Sequence, residues 1–335
     1  MGYDVKVNID LTKPLGTVGF GVPLILVENA ESEIAYTVVS SIDEVASAGI
    51  TAGSDAYKAA QLIFAQNHAP KQLAIRATTE AATAALADSM LVNEGWRQLI
   101  VVSAGESGST TAAISTLVEA MDGKLFFAGL PTDDSTVITV SGLRRTILFY
   151  CDATEEVPVP VAALVGETAG RSAGSFTYKN LVLVGVAAQE LSDVQIDAIH
   201  KKGGITFVAK AGDNVTSEGK LAGGEYIDII DTEDYIIQQL AYKTQKVLNN
   251  AAKVPYDNNG IALLETVAVD VLQDAYNNGM IVTNTDGTPG YSVSYALRED
   301  TKETDRANRR YLGGSFTFAL SGAIHEVEIT GSITV

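Results

Sequence analysis

The chain has 335 residues, 46% of them hydrophobic, a formal net charge of −18 and a pI near 4.5. The length holds two ordinary domains or one large one, and the apolar content excludes a disordered chain. The acidity excludes nucleic acid as a main partner, because phosphate backbones recruit basic surfaces, and it suits a soluble protein kept apart from its neighbours by charge.

Residues 3–10 alternate, with Tyr3, Val5, Val7 and Ile9 between polar residues, and form an extended arm that ends near Pro14 and Gly16. The pattern then predicts a buried strand over 24–27, a strand over 34–39 and a capping box at Ser41 to Glu44. Ser54 caps a helix whose face is Tyr57, Ala60, Ile63 and Phe64, stopped by Pro70. Strands follow at 72–76, 96–103, 124–128, 137–140, 145–151 and 181–186. Between them lie helices at 78–91, 109–121, 161–170 and 192–200. Strands alternating with helices predict an α/β domain on a largely parallel sheet.

Past residue 200 the composition shifts. Strands are expected at 205–209 and 225–230, around a glycine-rich polar segment at 212–220. Two long helices follow, 232–250 with a stripe of Ile236, Ile237, Leu240, Val247 and Leu248, and 259–278 closed by Gly279 as a C′ residue. A strand at 291–297, a charged stretch at 298–310 and a strand at 315–320 lead to a last alternating segment, 322–335. The fold class expected is α/β, α+β overall. Its parts are an N-terminal arm (1–20), an α/β domain (21–200), a C-terminal domain of mixed sheet and helix (201–321) and a C-terminal β arm (322–335). Two strand-like ends imply either sheet edges closed within the molecule or arms offered to neighbours.

No catalytic constellation emerges. Gly16 to Gly21 lacks dinucleotide spacing, and Gly105-Glu106-Ser107-Gly108-Ser109 has neither a phosphate-loop lysine nor the nucleophile-elbow pattern. His68, His200 and His325 are far apart, His68 and His200 as helix-end residues. The acids Asp228, Asp231, Glu233 and Asp234 fit capping and first-turn positions better than a metal site. Cys151 alone makes no disulfide and is expected as a buried thiol. No cofactor, no metal and no enzymatic activity are expected. The opening residues show no signal peptide, and the longest apolar run, 181–188, is too short for membrane insertion, so synthesis in a cytoplasm is expected.

Several C-terminal stretches resemble contractile phage tail sheath proteins. They are Gly204-Ile205-Thr206-Phe207, Val215 to Lys220, Gly224 to Ile230 with Asp234-Tyr235-Ile236, Val254 to Ile261 and, most specific, the closing run of arginine-rich turn, strand, G-A-I-H and strand, Asp305-Arg306-Ala307-Asn308-Arg309-Arg310, Phe316-Thr317-Phe318 and Gly322-Ala323-Ile324-His325-Glu326-Val327. The likeness covers about residues 200–335, and the N-terminal part shares only the layout. The same reading fits a phage-like bacteriocin or a related contractile injection system.

The resemblance implies a structural subunit of a virion tail, assembled in the host bacterial cytoplasm. It implies a helical homopolymer, six subunits per ring, around an inner tail tube protein, with baseplate and tail terminator proteins as further partners. Neighbours would exchange arms through Val5, Val7, Ile9, His325, Val327, Ile329 and Ile333, a β-augmentation. Gly16, Gly19, Gly21 and Gly322 are candidate hinges. His325, with no nucleophile or base beside it, is expected to pack or hydrogen-bond at the arm hinge. The candidate tube-facing cations are Lys243 and Lys246 on the first long helix and Lys302, Arg306, Arg309 and Arg310 in the charged stretch. A different class remains open, an α/β enzyme using the strand–helix turns of residues 100–170 as its pocket, and so does a soluble binding module.

Overall fold

The computed structural model describes residues 22–92, 94–104, 108–135, 138 and 142–327. Val5, Val7, Ile9, Gly16, Gly19, Gly21, Ile329 and Ile333, and most of the strand expected at 137–140, lie outside the described residues.

The chain enters with β1 (Val22–Glu28), β2 (Ile34–Val39), α1 (Ile42–Ser47), α2 (Asp55–Phe64) and β3 (Leu73–Ala77). Ser41 and Ser54 cap the two helices, each hydroxyl accepting an amide hydrogen at 3.3 Å. The alanine-rich helix expected over 78–91 is two pieces, α3 (Ala82–Ala87) and α4 (Ser89–Val92), because Asp88 is extended (ψ 117°). Then come β4 (Trp96–Ser103), α5 (Thr111–Val118), β5 (Leu125–Leu130), β6 (Thr146–Tyr150), α6 (Val161–Ala169), α7 (Asp193–Lys201), β7 (Gly204–Lys210) and β8 (Asp213–Thr216).

These strands make one sheet of eight, ordered β2-β3-β1-β4-β5-β6-β7-β8, parallel except at its two edge strands. Pleating splits β1. Ile25 and Val27 join the core under α2 and α6, while Leu24 and Leu26 join the core under α3, α5 and α7. Both faces are covered, which is why the central strands read as unbroken apolar runs. The mixed α/β class expected from the sequence is the class observed. The sheet runs on through β7 and β8, so the composition shift at 200 falls inside this layer rather than beside it.

Residues 181–186 do not form a strand. The run bends at Gly185, whose φ is +78°, and its backbone is held piecemeal: Thr216 bonds Leu181, and the Gln66 carboxamide pairs with both polar groups of Val184 at 2.8 Å. Residues 225–230 do not form a strand either. Ile227 and Ile230 are fully buried three positions apart, a helical spacing, and α8 (Ile227–Asn250) begins there, five residues before its expected start at 232.

α8 has 24 residues, about 36 Å at 1.5 Å per residue. Its first turn is in the core of the large sheet. Further along, Ile236 and Leu240 belong to a third, small core with α9 (Asn258–Asn277), β9 (Tyr291–Tyr295) and β10 (Gly314–Phe318). The charged stretch between the two strands holds a short 3-10 turn (Arg298–Asp300) and α10 (Glu303–Ala307). The α8–α9 link is tight: Asp257 caps α9, and a Cβ on Gly260 would fall 1.9 Å from the Pro255 carbonyl oxygen.

Candidate functional site

β9 and β10 pair only with each other, antiparallel, in a two-stranded sheet. Tyr291, Val293, Tyr295, Phe316 and Phe318 pack on the small core, and Ser292, Ser294, Ser315 and Thr317 face solvent. The Ala296 amide donates to Gly313 and the Ala319 amide to Gly290, each at 2.9 Å. Alternation along the ladder then points the backbone groups of Tyr291, Val293 and Tyr295 out of one edge, and those of Gly314, Phe316 and Phe318 out of the other. Packing on the helices supports this small sheet, and among the described residues its two outer edges carry no further strand, which makes them templates for one.

The chain leaves β10 along this small domain. Ser321 donates to the Met280 carbonyl at 2.9 Å, and Gly322 follows with φ +60°. His325, expected to pack or hydrogen-bond at the arm hinge, makes its hydrogen bonds within its own chain. Its Nε2 is 2.9 Å from Thr177 Oγ1, its Nδ1 is 2.9 Å from Glu218 Oε1, and Tyr226 meets its ring edge-on with centroids 4.8 Å apart. The side chain is 9% exposed, whereas its neighbours Ile324 and Val327 are 84% and 74% exposed. Burial works against the charge of Glu218, but the Gly219 amide, His325, Lys179 and Lys220 outweigh it and hold its carboxyl below the usual range. Residues 321–327 take no strand conformation, because no partner strand lies beside them among the described residues.

The six candidate cations do not form one patch. Lys243 is bound to Asp274 at 2.6 Å, and Lys246 sits 5.6 Å from the Tyr242 ring. The Arg306 guanidinium turns inward and donates to the carbonyls of Thr301 and Arg298, bracing its own loop. Lys302, Arg309 and Arg310 are exposed.

The crevice where a doubly wound sheet holds ligands lies at the C-terminal ends of β1 and β4. A carboxylate of the protein itself lies there. Glu28 is 2% exposed, and its carboxylate accepts from the amides of Ala82 and Ser109 at 2.7 Å and from the Ser109 hydroxyl at 2.6 Å. The helix-start amides that would receive an anion already hold one. Among the described residues no three His, Cys, Asp or Glu are placed to hold a metal ion, and no helix is long and apolar enough to cross a membrane. Cys151 is buried, its thiol pushed up to about 12 by burial and then by Asp152. His68 binds Glu167 at 2.7 Å and His200 lies 2.8 Å from the Ser217 hydroxyl.

A buried ion network ties α8 to the sheet. Arg97 of β4 donates to Asp231 and, at 2.7 Å, to Asp234. Arg145 also donates to Asp234, and Tyr178 donates to Asp231 at 3.1 Å. Burial opposes ionisation of both acids. At Asp234 the two arginines prevail and hold its carboxyl below the usual range, and at Asp231 burial prevails and raises it. Asp231 is therefore an interior ion-pair partner and not a helix cap. Sequence patterning marks the acids but not their shared partner Arg97, 134 residues from Asp231 and 137 from Asp234. Of the two residues that hold His325, Thr177 carries no local signal, and Glu218 lies in the Val215 to Lys220 stretch without any sign of its partner.

Residues 227–333 match the family described as the E217 tail sheath protein gp31-like, C-terminal domain. The whole chain is similar in shape to the helical sheath of the anti-feeding prophage in its contracted state, with a TM-score of 0.74 at 15% identity over 98% of each chain. It is similar to the contracted sheath complex of PVC, an extracellular contractile injection system, with a TM-score of 0.73 at 11% identity over 98% of this chain and 97% of that one. The sheath tail protein Lin1278 from Listeria innocua gives 0.55 at 12% identity over 84% and 90%. No curated protein matches by sequence.

Proposed function

We propose that this chain, a contractile sheath protein of a phage tail or injection system, polymerises through its own terminal strands. The two-stranded sheet of β9 and β10 carries this reading: among the described residues no strand pairs with either of its outer edges, and the sequence has two alternating segments, 3–10 and 326–335, that suit such an edge. One arm from each of two neighbours would complete a shared sheet. An arm of about a dozen extended residues reaches roughly 40 Å at ~3.3 Å each, which is enough to enter an adjacent subunit.

In this reading the subunits stack as six-fold rings around an inner tube, between a baseplate and a terminator, in a tail assembled in the bacterial cytoplasm. Backbone ladders persist while the rigid bodies swing, and improved contacts between bodies drive contraction. The role is mechanical and non-enzymatic, in keeping with the Glu28 carboxylate that takes up the amides of Ala82 and Ser109. Phage tails and injection systems share this chemistry, and the reading covers both.

Electron microscopy of the purified chain tests it. Hollow cylinders are expected from the intact protein, and folded monomers after deletion of residues 3–10 or 326–335. Cylinders from either truncation would refute arm exchange, and a small discrete oligomer from the intact chain would refute the polymer.

A further inference from the structure

The C-terminal arm needs a fixed root and a moving part, and the geometry places the border between them. Gly322 has the open backbone of a hinge, with φ +60° and no atom within 4 Å of where a Cβ would stand. Yet it lies between two attachments. On one side Ser321 is bonded to Met280, and on the other His325 is bonded through both ring nitrogens to Thr177 and Glu218. A residue held on both sides shapes a loop and does not swing. The same loop roofs a small polar cleft of about 100 Å³ between Thr177, Thr232 and Met280.

The anchor is built from the body. Thr177 lies in the segment after α6. Glu218 follows β8, and its carboxylate is fixed by the Gly219 amide at 2.9 Å, with Lys220 at 3.8 Å and Lys179 at 4.0 Å. Tyr226 adjoins the start of α8. Three separate elements thus converge on one imidazole. Directly beyond it the chain is exposed at Glu326 and Val327.

We propose that His325 is the anchor pin of the C-terminal arm, that it stays bonded to its own subunit in every assembly state, and that the arm pivots beyond it, from Glu326 onward, and not at Gly322. This rests on the sheath reading above. His325 is here a positioning residue: it sets where the donated strand departs, and with it the strand's register on the neighbour's open edge.

The test cross-links the clasp. In a Thr177→Cys, His325→Cys chain the remaining thiol, Cys151, is buried, so a short reductant-cleavable thiol cross-linker joins only the two new cysteines. Cross-linked subunits are expected to form cylinders, and to contract, as the wild type does. Wild-type cylinders together with blocked assembly or contraction of the cross-linked form, restored by reductant, would overturn the proposal. Absence of cylinders from the wild type would instead sink the sheath reading. A second variant, His325→Ala, is read in the monomer by hydrogen exchange. Residues 320–327 are expected to exchange at least tenfold faster while the sheet strands are unchanged, and unchanged exchange over 320–327 would also overturn the proposal.

Discussion

Arg97 on β4 and Asp231 on α8 share a hydrogen-bonded ion pair in the interior, with side chains 4% and 3% exposed. The pair joins the middle of the large sheet to the helix that continues into the small C-terminal core. This network makes the start of α8 part of the sheet's own core.

Breaking the pair from one side leaves an uncompensated charge in the interior. Arg97→Met or Asp231→Asn is expected to cost on the order of 3–5 kcal/mol, read as a lower denaturant midpoint at an unchanged slope. Both acids would be affected by loss of Arg97, so the Arg97→Met and Asp234→Asn effects are expected to be strongly non-additive in a double-mutant cycle.

Lys124 gives a prediction in pH. Its ammonium is buried, donates to the carbonyls of Glu94 and Trp96, and lies 4.2 Å from the centre of the Trp96 ring. Burial first, and Arg97 second, push it down to about 7 from an ordinary 10.5, with Glu94 pulling the other way. Between those values the unfolded chain binds a proton that the folded chain lacks, so this group makes stability rise with pH from about 7 to 10.5. Below that window both states are protonated and the full burial cost applies. Chemical denaturation from pH 6.5 to 9.5 is expected to show a positive slope that Lys124→Met reduces. An unchanged slope in Lys124→Met would contradict the assignment.

The exposed cations divide from the engaged ones. Reversing Lys302, Arg309 and Arg310 to Glu is expected to weaken docking to an acidic tube at low salt, with the deficit shrinking as salt is added. Arg306→Glu is expected to act differently. Its guanidinium braces the loop from Arg298 to Thr301, so the loss appears as lower stability of the free monomer. Co-sedimentation with tube protein across a salt series, beside monomer melting curves, separates the two effects.

Gly260→Ala tests the α8–α9 link. By helix propensity alone the change adds about 1 kcal/mol of stability. The Pro255 carbonyl oxygen stands 1.9 Å from the new Cβ, so the link has to open, and a net loss of about 1–3 kcal/mol is expected. A melting temperature equal to or above the wild type would show that the link opens freely.

Local physics made most of the body legible in the sequence. β4 and the caps at Ser41 and Ser54 stand where expected, because a buried strand and a capped helix are written in adjacent residues. The acids of α8 were visible as acids, but a first-turn carboxylate and an interior one look the same until a distant arginine is brought to them. The unbroken apolar run at 181–186 has strand composition, and it failed as a strand because Gly185 turns the backbone away. The G-A-I-H stretch marked His325 as special through its resemblance to a family, without saying which molecule it touches.

What the sequence determined alone was most of the order of strands and helices up to β7, an acidic charge balance and a C-terminal third that resembles a tail sheath domain. Only the tertiary structure decided that the sheet continues past residue 200, that Glu28 is bound by the amides of Ala82 and Ser109, and that His325 binds its own body. The reason is physical. Periodicity and capping depend on neighbours within a few residues, whereas the bonds of His325 and the pairs of Arg97 join groups separated by more than a hundred positions, which only the packed chain brings within hydrogen-bonding distance.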